Sequence, residues 1–322
     1  MKVLEAPFLS CAELKELFQP LSPNLAALQL SEGRLLGKLQ IFSFGTFRCT
    51  LLETNQSLFL SGQRKPQAWT LAIPLNNPLP HDAYRAQGVV MPWPGLMGYN
   101  IQLTDFDLRL PAGSRLCTLV IAKDELLKRH PQQRGSLTLQ RWQNTNQLEL
   151  QADHANQLRD QIETLIKEEG KTTDPSTAER LLSAVINCFE NEEAETRAIK
   201  KRQARHTAAI EVLHWCQTNP CQSITVDALS ELLYQSRTSL FKGCKEHFNR
   251  TPLEVQRAVR LDGVREFLLK PNKRAQLDLK DIKQVAQHFD FASPDHFKRR
   301  FREAFGEQPQ QTIQGNHPEG AK

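Results

Sequence analysis

Two stretches of the chain, LFKGCKEHFNRTP at Leu240–Pro252 and FKRRFREAFGEQP at Phe297–Pro309, have the same length and the same order of residue types. Each has an apolar residue at every fourth position, namely Leu240, Cys244 and Phe248 in the first and Phe297, Phe301 and Phe305 in the second. In an α-helix this spacing places the three side chains on one face. The sequence therefore predicts two similar helices, each with one buried face.

Both predicted helices carry cations away from the apolar face, at positions that match between the two. Lys242 corresponds to Arg299, and Lys245 corresponds to Arg302. A helix that buries one face and presents cations on another can approach phosphates. We call these two helices the reader helices.

The two reader helices also end alike. Asn249 and Gly306 occupy the same position, and these are residue types that tolerate the left-handed conformation of a helix C-cap. Pro252 and Pro309 follow three residues later, where a helix cannot continue. Duplication of one unit explains this pattern better than chance.

A shorter helix is predicted upstream of each reader helix, after Thr225 and near Leu279 or Asp281. A short polar turn separates each from its reader, so the implied unit is helix, turn, helix. The apolar pattern of Leu253–Leu269 predicts a helix that connects the two units. The major groove of B-DNA is wide enough for an α-helix and displays a distinct pattern for each base pair.

The positive charge of the chain is concentrated in this C-terminal part. Residues 197–313 contain 21 Lys and Arg against 13 Asp and Glu, whereas the rest of the chain has a net charge of −3. Such an asymmetry favours a polyanionic partner, because neutralised phosphates release their counterions. Charge alone leaves open a basic face that serves only solubility.

The C-terminal segment resembles the AraC/XylS family of bacterial transcription regulators over about 105 residues, from Arg205 to Ile313. The residues that carry the resemblance keep their spacing throughout; they are Leu229, Ser230, Ser236, Leu240, Lys242, Lys245, Thr251, Pro252, Arg260, Leu261, Ile282, Val285, Ala286, Phe291, Phe297, Arg299, Phe301, Gly306 and Pro309. Two residues depart from the family pattern. Asp290 replaces a glycine in the second turn, and Asn249 replaces the glycine that ends the first reader helix.

The resemblance implies a seven-helix domain whose reader helices enter successive major grooves on one side of double-stranded DNA. By position, the residues expected to face DNA are Ser236, Arg237, Thr238, Ser239, Lys242 and Lys245 in the first reader helix and Ser293, Asp295, His296, Lys298 and Arg299 in the second. Arg237 is the leading candidate for base recognition, because arginine can bind guanine in a bidentate manner. A solvated position or a phosphate contact is the alternative for each of these residues.

The N-terminal half has a different pattern. Apolar and polar residues alternate between Arg34 and Trp142, which predicts β-strands of a small barrel or sandwich. The order of elements resembles that of the sensor halves of AraC-type regulators, which implies a cupin-like barrel. Two helices are predicted to follow, at His154–Lys167 and after Pro175, and the apolar stripe of the second could pack on the barrel or form a dimer interface. The run Phe106–Arg129 bears a faint likeness to ethanolamine-operon activators.

The predicted fold is therefore a two-domain α+β chain with a β-rich N-terminal domain and trailing helices, followed by an all-α tandem helix-turn-helix domain. The expected boundaries are an effector-binding or dimerisation domain at 1–190, a charged linker at 191–204, the DNA-binding domain at 205–313 and a disordered tail at 314–322. Ligand-binding residues are not assigned. Trp69, Trp93, Tyr99 and Arg109 are candidate lining for a pocket in the barrel, and core or surface positions are the more common alternative for such residues in strands.

The sequence argues against several other classes of protein. It has no clustered His, Cys and carboxylate set, no nucleophile elbow and no phosphate-binding glycine loop, so we expect no metal, no cofactor and no enzyme. Without a long apolar run or an export signal, a cytoplasmic location is expected. The expected partners are promoter DNA and RNA polymerase, with a small-molecule effector and a homodimer left open. A barrel enzyme and a nonspecific nucleic-acid-binding protein are the alternatives.

Overall fold

The computed structural model describes residues 2–44, 47–76, 82–129, 137–167 and 175–314. The strands are β1 Lys2–Phe8, β2 Ala26–Gln29, β3 Gly37–Phe44, β4 Phe47–Thr54, β5 Leu58–Gln63, β6 Ala68–Pro74, β7 Arg85–Ala86, β8 Val89–Val90, β9 Gly95–Met97, β10 Asp105–Leu110, β11 Ser114–Ala122, β12 Thr145–Glu149 and β13 Thr196–Ala198. The helices of the N-terminal half are α1 Cys11–Phe18, α2 Lys123–Arg129, α3 Leu137–Asn144, α4 Ala152–Lys167 and α5 Pro175–Glu190.

The strands form two antiparallel sheets that confirm the predicted β-rich domain. The first sheet has the order β1-β3-β4-β11-β6-β9-β12-β13, and the second has the order β2-β5-β10-β7-β8. Apolar side chains of β4 point to both faces of the first sheet, and both faces are covered. Cys49 and Leu51 pack in the core that contains the trailing helices, whereas Leu52 packs in the core between the two sheets.

Helices α4 and α5 cover the outer face of the first sheet. Val185, Ile186 and Phe189 of α5 are buried in one core with Leu71 and Leu119 of the sheet. The apolar stripe after Pro175 therefore packs on the β-rich domain of its own chain. Of the two alternatives that the sequence left open, packing on the barrel and a dimer interface, the structure shows the first. The elements β1, α1 and β2 precede the region in which strands were predicted.

The C-terminal half is helical. Its helices are α6 Ala204–Thr218, α7 Val226–Leu232, α8 Arg237–Phe248, α9 Pro252–Leu269, α10 Pro271–Gln276, α11 Ile282–His288, α12 Pro294–Phe305 and α13 Pro309–Ile313. The described residues therefore contain eight helices here, where the resemblance implied seven. None of the helices in the described ranges is long and apolar enough to span a bilayer.

The charged segment at 191–204 joins the two halves and is not helical before Ala204, where α6 begins. Its residues Thr196–Ala198 form β13, which extends the first sheet by pairing with β12. The division of the chain at this segment remains a prediction, and the predicted tail lies, apart from Gln314, outside the described residues.

The second sheet lies between the two halves of the molecule. Leu58 and Leu60 of β5 pack in the core between the sheets, whereas Phe59 packs with the C-terminal helices. The rings of Phe59 and Phe248 meet edge to face with centroids 4.8 Å apart. One face of this sheet thus lines the barrel interior while the other supports α6 and α8.

Asp262 of α9 forms a second contact between the two halves of the molecule. Its two carboxylate oxygens accept hydrogen bonds from the backbone N–H groups of Cys11 (3.1 Å) and Ala12 (3.0 Å), which are unsatisfied donors of the first turn of α1. Burial raises the pKa of Asp262 to about 6, although these bonds oppose the shift. A carboxylate from one half therefore caps a helix of the other.

Candidate DNA-binding surface

The first reader helix, α8, begins at a capping serine and buries its apolar face as predicted. Ser236 Oγ accepts a hydrogen bond from the backbone N–H of Ser239 at 3.1 Å. Leu240, Cys244 and Phe248 are all buried in the core formed with α6 and α9. Because this face is fully covered, only the opposite side of α8 is available to a partner.

The second reader helix, α12, repeats this construction. Ser293 Oγ accepts from the backbone N–H of His296 at 3.4 Å, and Pro294 occupies the first turn. Phe297, Phe301 and Phe305 are buried, with successive ring centroids 5.7 and 4.8 Å apart. The three rings form a packed spine, so they are not available to stack on bases.

Gly243 sets how closely α8 approaches α6. A Cβ atom at this position would lie 1.9 Å from the carbonyl oxygen of Arg205 and 3.3 Å from the Cβ of Ala209. No residue with a side chain fits unless the two helices separate. Gly243 is not among the residues predicted from the sequence, although a glycine inside a helical pattern signals close packing.

Both reader helices end in the left-handed conformation that the sequence predicts. Asn249 has φ +54° and Gly306 has φ +67°. The turns that precede the reader helices contain further residues of this kind, Tyr234 with φ +52° and Asp290 with φ +60°. The carboxylate of Asp290 lies 3.2 Å from Nη1 of Arg260, so the residue that replaces the family's glycine is anchored to α9.

The structure places every residue of the predicted DNA-facing set on the open side or at the N-terminal cap of a reader helix. Exposed side chains are Ser236, Arg237, Thr238, Lys242, Lys245, Ser293, Asp295, Lys298 and Arg299, and half-buried ones are Ser239 and His296. The hydroxyls of Ser236 and Ser293 are already engaged as caps. Their assignment as DNA contacts stays a prediction, as it does for the others.

Arg237 occupies the first turn of α8 with its guanidinium in solvent. Its Nη1 lies 2.9 Å from Oδ1 of Asp227 on α7, and both side chains are more than 60% exposed. An ion pair this exposed contributes little free energy, so a stronger acceptor can displace the carboxylate. Lys245, one turn before the end of α8, donates from Nζ to the carbonyl of Asn249 at 3.3 Å.

Helix α12 carries three consecutive cations, Lys298, Arg299 and Arg300. Arg299 and Arg300 lie 3.9 and 2.9 Å from the same carboxylate, Glu303, while Lys298 is exposed. Partial burial and the neighbouring arginines lower the pKa of His296, so this imidazole is neutral at pH 7 and can donate or accept a hydrogen bond.

Known proteins match the same part of the chain. A family model described as a helix-turn-helix domain matches residues 229–315. The XylDLEGF operon transcriptional activator 2 of Pseudomonas putida is 29% identical over 102 residues, which are 32% of this chain and 62% of that protein. The chain thus matches less than two thirds of this relative.

The chain carries an AraC-type helix-turn-helix domain. Among solved structures, a probable AraC family transcriptional regulator from Rhodopseudomonas palustris CGA009 aligns with 35% of this chain and 99% of its own length, at 25% identity and a TM-score of 0.30. The AraC-like transcriptional activator CuxR aligns with 79% of this chain and 93% of its own, at 12% identity and a TM-score of 0.41.

Helix α9 joins the two units of this AraC-type domain. Val255 and Val259 near its start pack in the core of the first unit, whereas Val264 and Leu268 near its end pack in the core of the second. Eighteen helical residues rise about 27 Å. One rigid helix thus determines how far apart the two units of the domain lie, as the sequence predicts.

The half of the chain that precedes the AraC-type domain contains a cavity of about 130 Å³ between its two sheets. Its lining is mainly apolar and includes Leu52, Leu60, Met97, Phe106, Leu108 and Leu116. Small-molecule sites are usually clefts or cavities with a mainly apolar lining of this kind. The alternating pattern of the strands predicts a covered interior but gives no sign of where the space remains.

The residues suggested as pocket lining are placed elsewhere. Trp69 is buried on the helix-covered side of the first sheet, where its Nε1 donates to the carbonyl of Tyr99 at 2.8 Å. Trp93 lies beneath the guanidinium of Arg159, and Arg109 pairs with Asp82 at 3.3 Å. On β6 it is the adjacent Thr70 that lines the cavity. The suggested residues thus occupy the core and surface positions that the sequence left open as the alternative, because size and polarity do not reveal which face of a strand is inward.

Two arginines lend the cavity a positive charge. Arg64 donates to the carbonyls of Gly98 (2.6 Å) and Thr70 (3.1 Å), and burial lowers its pKa to about 10. Arg48 is half-buried, and its Nε has no hydrogen-bond partner in the part of the chain that the structure describes. Neither guanidinium forms an ion pair with a carboxylate within the described residues.

Proposed function

We propose that this chain is a sequence-specific DNA-binding transcription regulator whose reader helices α8 and α12 enter successive major grooves of double-stranded DNA. The observation that carries the proposal is the shared construction of the two helices, each with a buried apolar spine and exposed polar and cationic side chains opposite it. RNA polymerase in the bacterial cytoplasm is the proposed protein partner, and a homodimer is a further expectation.

The proposal distinguishes base recognition from phosphate binding. Arg237→Ala should remove about 1–3 kcal/mol of discrimination at one base position and leave affinity for random duplex nearly unchanged. Lys245→Ala, on the same helix, should weaken binding to all duplexes alike and lower the salt slope by about 1. Fluorescence anisotropy on a selected duplex, its single-base variants and a random duplex, over a range of salt, measures both.

The two variants serve as controls for each other, because both remove one exposed cation from α8. Equal losses of Arg237→Ala on selected and random duplex would remove Arg237 from base recognition. A wild-type chain that binds selected and random duplex equally would contradict sequence-specific binding as a whole.

We further propose that the cavity of the N-terminal half binds a small-molecule effector. Its apolar lining favours a mainly apolar molecule, and the unpaired charge of Arg48 favours one that carries an anionic group. The second sheet supports the proposed control of DNA binding, because it lies between this cavity and α8.

Hexanoate and hexanol test the ligand class, since they differ only in the charged group. Hexanoate should raise the melting temperature of the wild-type chain more than hexanol does, and Arg48→Met should abolish the difference while keeping the apolar part of the side chain. Differential scanning calorimetry with each compound measures the shifts. Equal shifts for the two compounds in the wild type would contradict an anion-binding cavity.

A further inference from the structure

Asp107 of β10 is a buried carboxylate where the cavity wall meets the C-terminal helices. Its side chain is only 2% exposed, and the residue borders the cavity together with its neighbours Phe106 and Leu108. A charge this deeply buried requires partners. All of those partners come from other segments of the chain.

The carboxylate joins the cavity wall to the segment between the halves. Asp107 Oδ2 accepts from Nη2 (2.7 Å) and Nε (3.2 Å) of Arg202, and Oδ1 accepts from the backbone N–H of Gly88 at 3.2 Å. Gln87, which also borders the cavity, accepts from Arg202 at 2.7 Å. Two residues of the cavity border thus hold the same guanidinium.

The same carboxylate contacts the DNA-binding domain through His206. Oδ1 lies 3.3 Å from Nε2 of this histidine, which is in the first turn of α6. Burial would raise the pKa of Asp107, but His206 and Arg202 hold it below its ordinary value, so the group is charged at neutral pH. The attraction between Asp107 and the guanidinium of Arg202 therefore persists over the physiological range.

His206 in turn holds the reader helix α8. Its ring stacks on that of His247 in the last turn of α8, with centroids 3.9 Å apart and planes 17° apart. Burial and then His206 lower the pKa of His247 to about 4, so this ring is uncharged at neutral pH. Gly88 packs closely against the pair of rings, since a Cβ at this position would lie 2.8 Å from the His206 ring.

We propose that Asp107 is a positioning residue that fixes the orientation of the reader helix α8 relative to the cavity wall. It acts through His206 and His247. A molecule that displaces β10 from within the cavity would then change the orientation of α8. This inference rests on the proposed DNA-binding function of α8, and it names the residue through which the N-terminal half controls it.

Asp105 provides a matched control on the same strand. It pairs with Arg202 at 2.8 Å as Asp107 does, but it is 43% exposed and no contact joins it to His206 in the described residues. In Asp107→Asn the segment between the halves stays tied through Asp105, whereas His206 loses its charged partner. The two variants therefore separate positioning of α8 from simple attachment of the halves.

The experiment uses the full chain and a duplex that the wild type selects. Asp107→Asn should reduce affinity for that duplex by about 5- to 150-fold and leave affinity for random duplex nearly unchanged, whereas Asp105→Asn should bind both almost as the wild type does. Amide hydrogen exchange of α8 should become faster in Asp107→Asn alone. A role confined to stability would instead lower both affinities and accelerate exchange throughout the domain.

A double-mutant cycle tests the route through the histidines. If Asp107 acts through the ring pair, Asp107→Asn and His247→Ala together should cost no more affinity than the larger single change. Additive losses, or a selected-duplex affinity of Asp107→Asn equal to that of the wild type, would overturn the proposal. Should Asp107→Asn fail to fold, His206→Gln breaks the same route with the carboxylate in place and is held to the same results. Failure of the wild type to prefer any duplex would count against the proposed function instead.

Discussion

Replacing Phe301 by alanine is expected to lower the free energy of unfolding of the second helix-turn-helix unit by about 3–5 kcal/mol. Phe301 is fully buried at the middle of the α12 spine, between the rings of Phe297 and Phe305. Truncation leaves a cavity that the two flanking rings cannot both fill. Chemical denaturation monitored by circular dichroism measures the loss.

Arg302→Ala is the matched control, because it changes the next residue on the exposed side of α12. It should shift stability by about 0.5 kcal/mol or less. The two units have separate cores, so faster hydrogen exchange in Phe301→Ala should concentrate in α11 and α12 and spare α7 and α8. Similar losses for Phe301→Ala and Arg302→Ala would contradict a buried spine.

Replacing Gly243 by alanine should destabilise the first unit by about 1–3 kcal/mol, although alanine is the better helix former. The added Cβ would meet the carbonyl oxygen of Arg205, a backbone atom that cannot rotate away. Helices α6 and α8 must then separate, and the contact between the rings of Phe59 and Phe248 weakens with them. Affinity for the selected duplex should fall as well.

The sign of the Gly243→Ala effect is the decisive readout. At an exposed helical position the same change stabilises a protein by about 1 kcal/mol, so a gain would show that α8 does not pack closely on α6. Lys242→Ala, at the adjacent exposed position, controls for the change in helix propensity and should leave the free energy of unfolding nearly unchanged. Thermal denaturation of the three chains distinguishes these outcomes.

The reader helices were predictable because their determinants are local. Leu240, Cys244, Phe248 and the capping Ser236 lie within a few helical turns of one another, so their spacing identifies the helix and its buried face whatever they pack against. The left-handed cap at Asn249 follows from residue type in the same way. Short-range signals of this kind locate a helix, its buried face and its ends.

The connections between the halves were not predictable, because they join residues far apart in sequence. Asp107 and Arg202 are 95 positions apart, and Asp262 caps a helix about 250 positions away. Neither carboxylate stands out by spacing or by neighbours. The cavity was not predictable for a related reason, since its shape depends on how two sheets stack and not on any one strand.

Protection of guanine N7 from methylation in the complex of the full chain with a duplex that it selects tests the central claim most directly, because N7 lies in the major groove. Two reader helices in successive grooves predict two protected segments on one face of the duplex, centred about 10 base pairs apart. A single protected segment, or two segments on opposite faces of the duplex, would contradict the account.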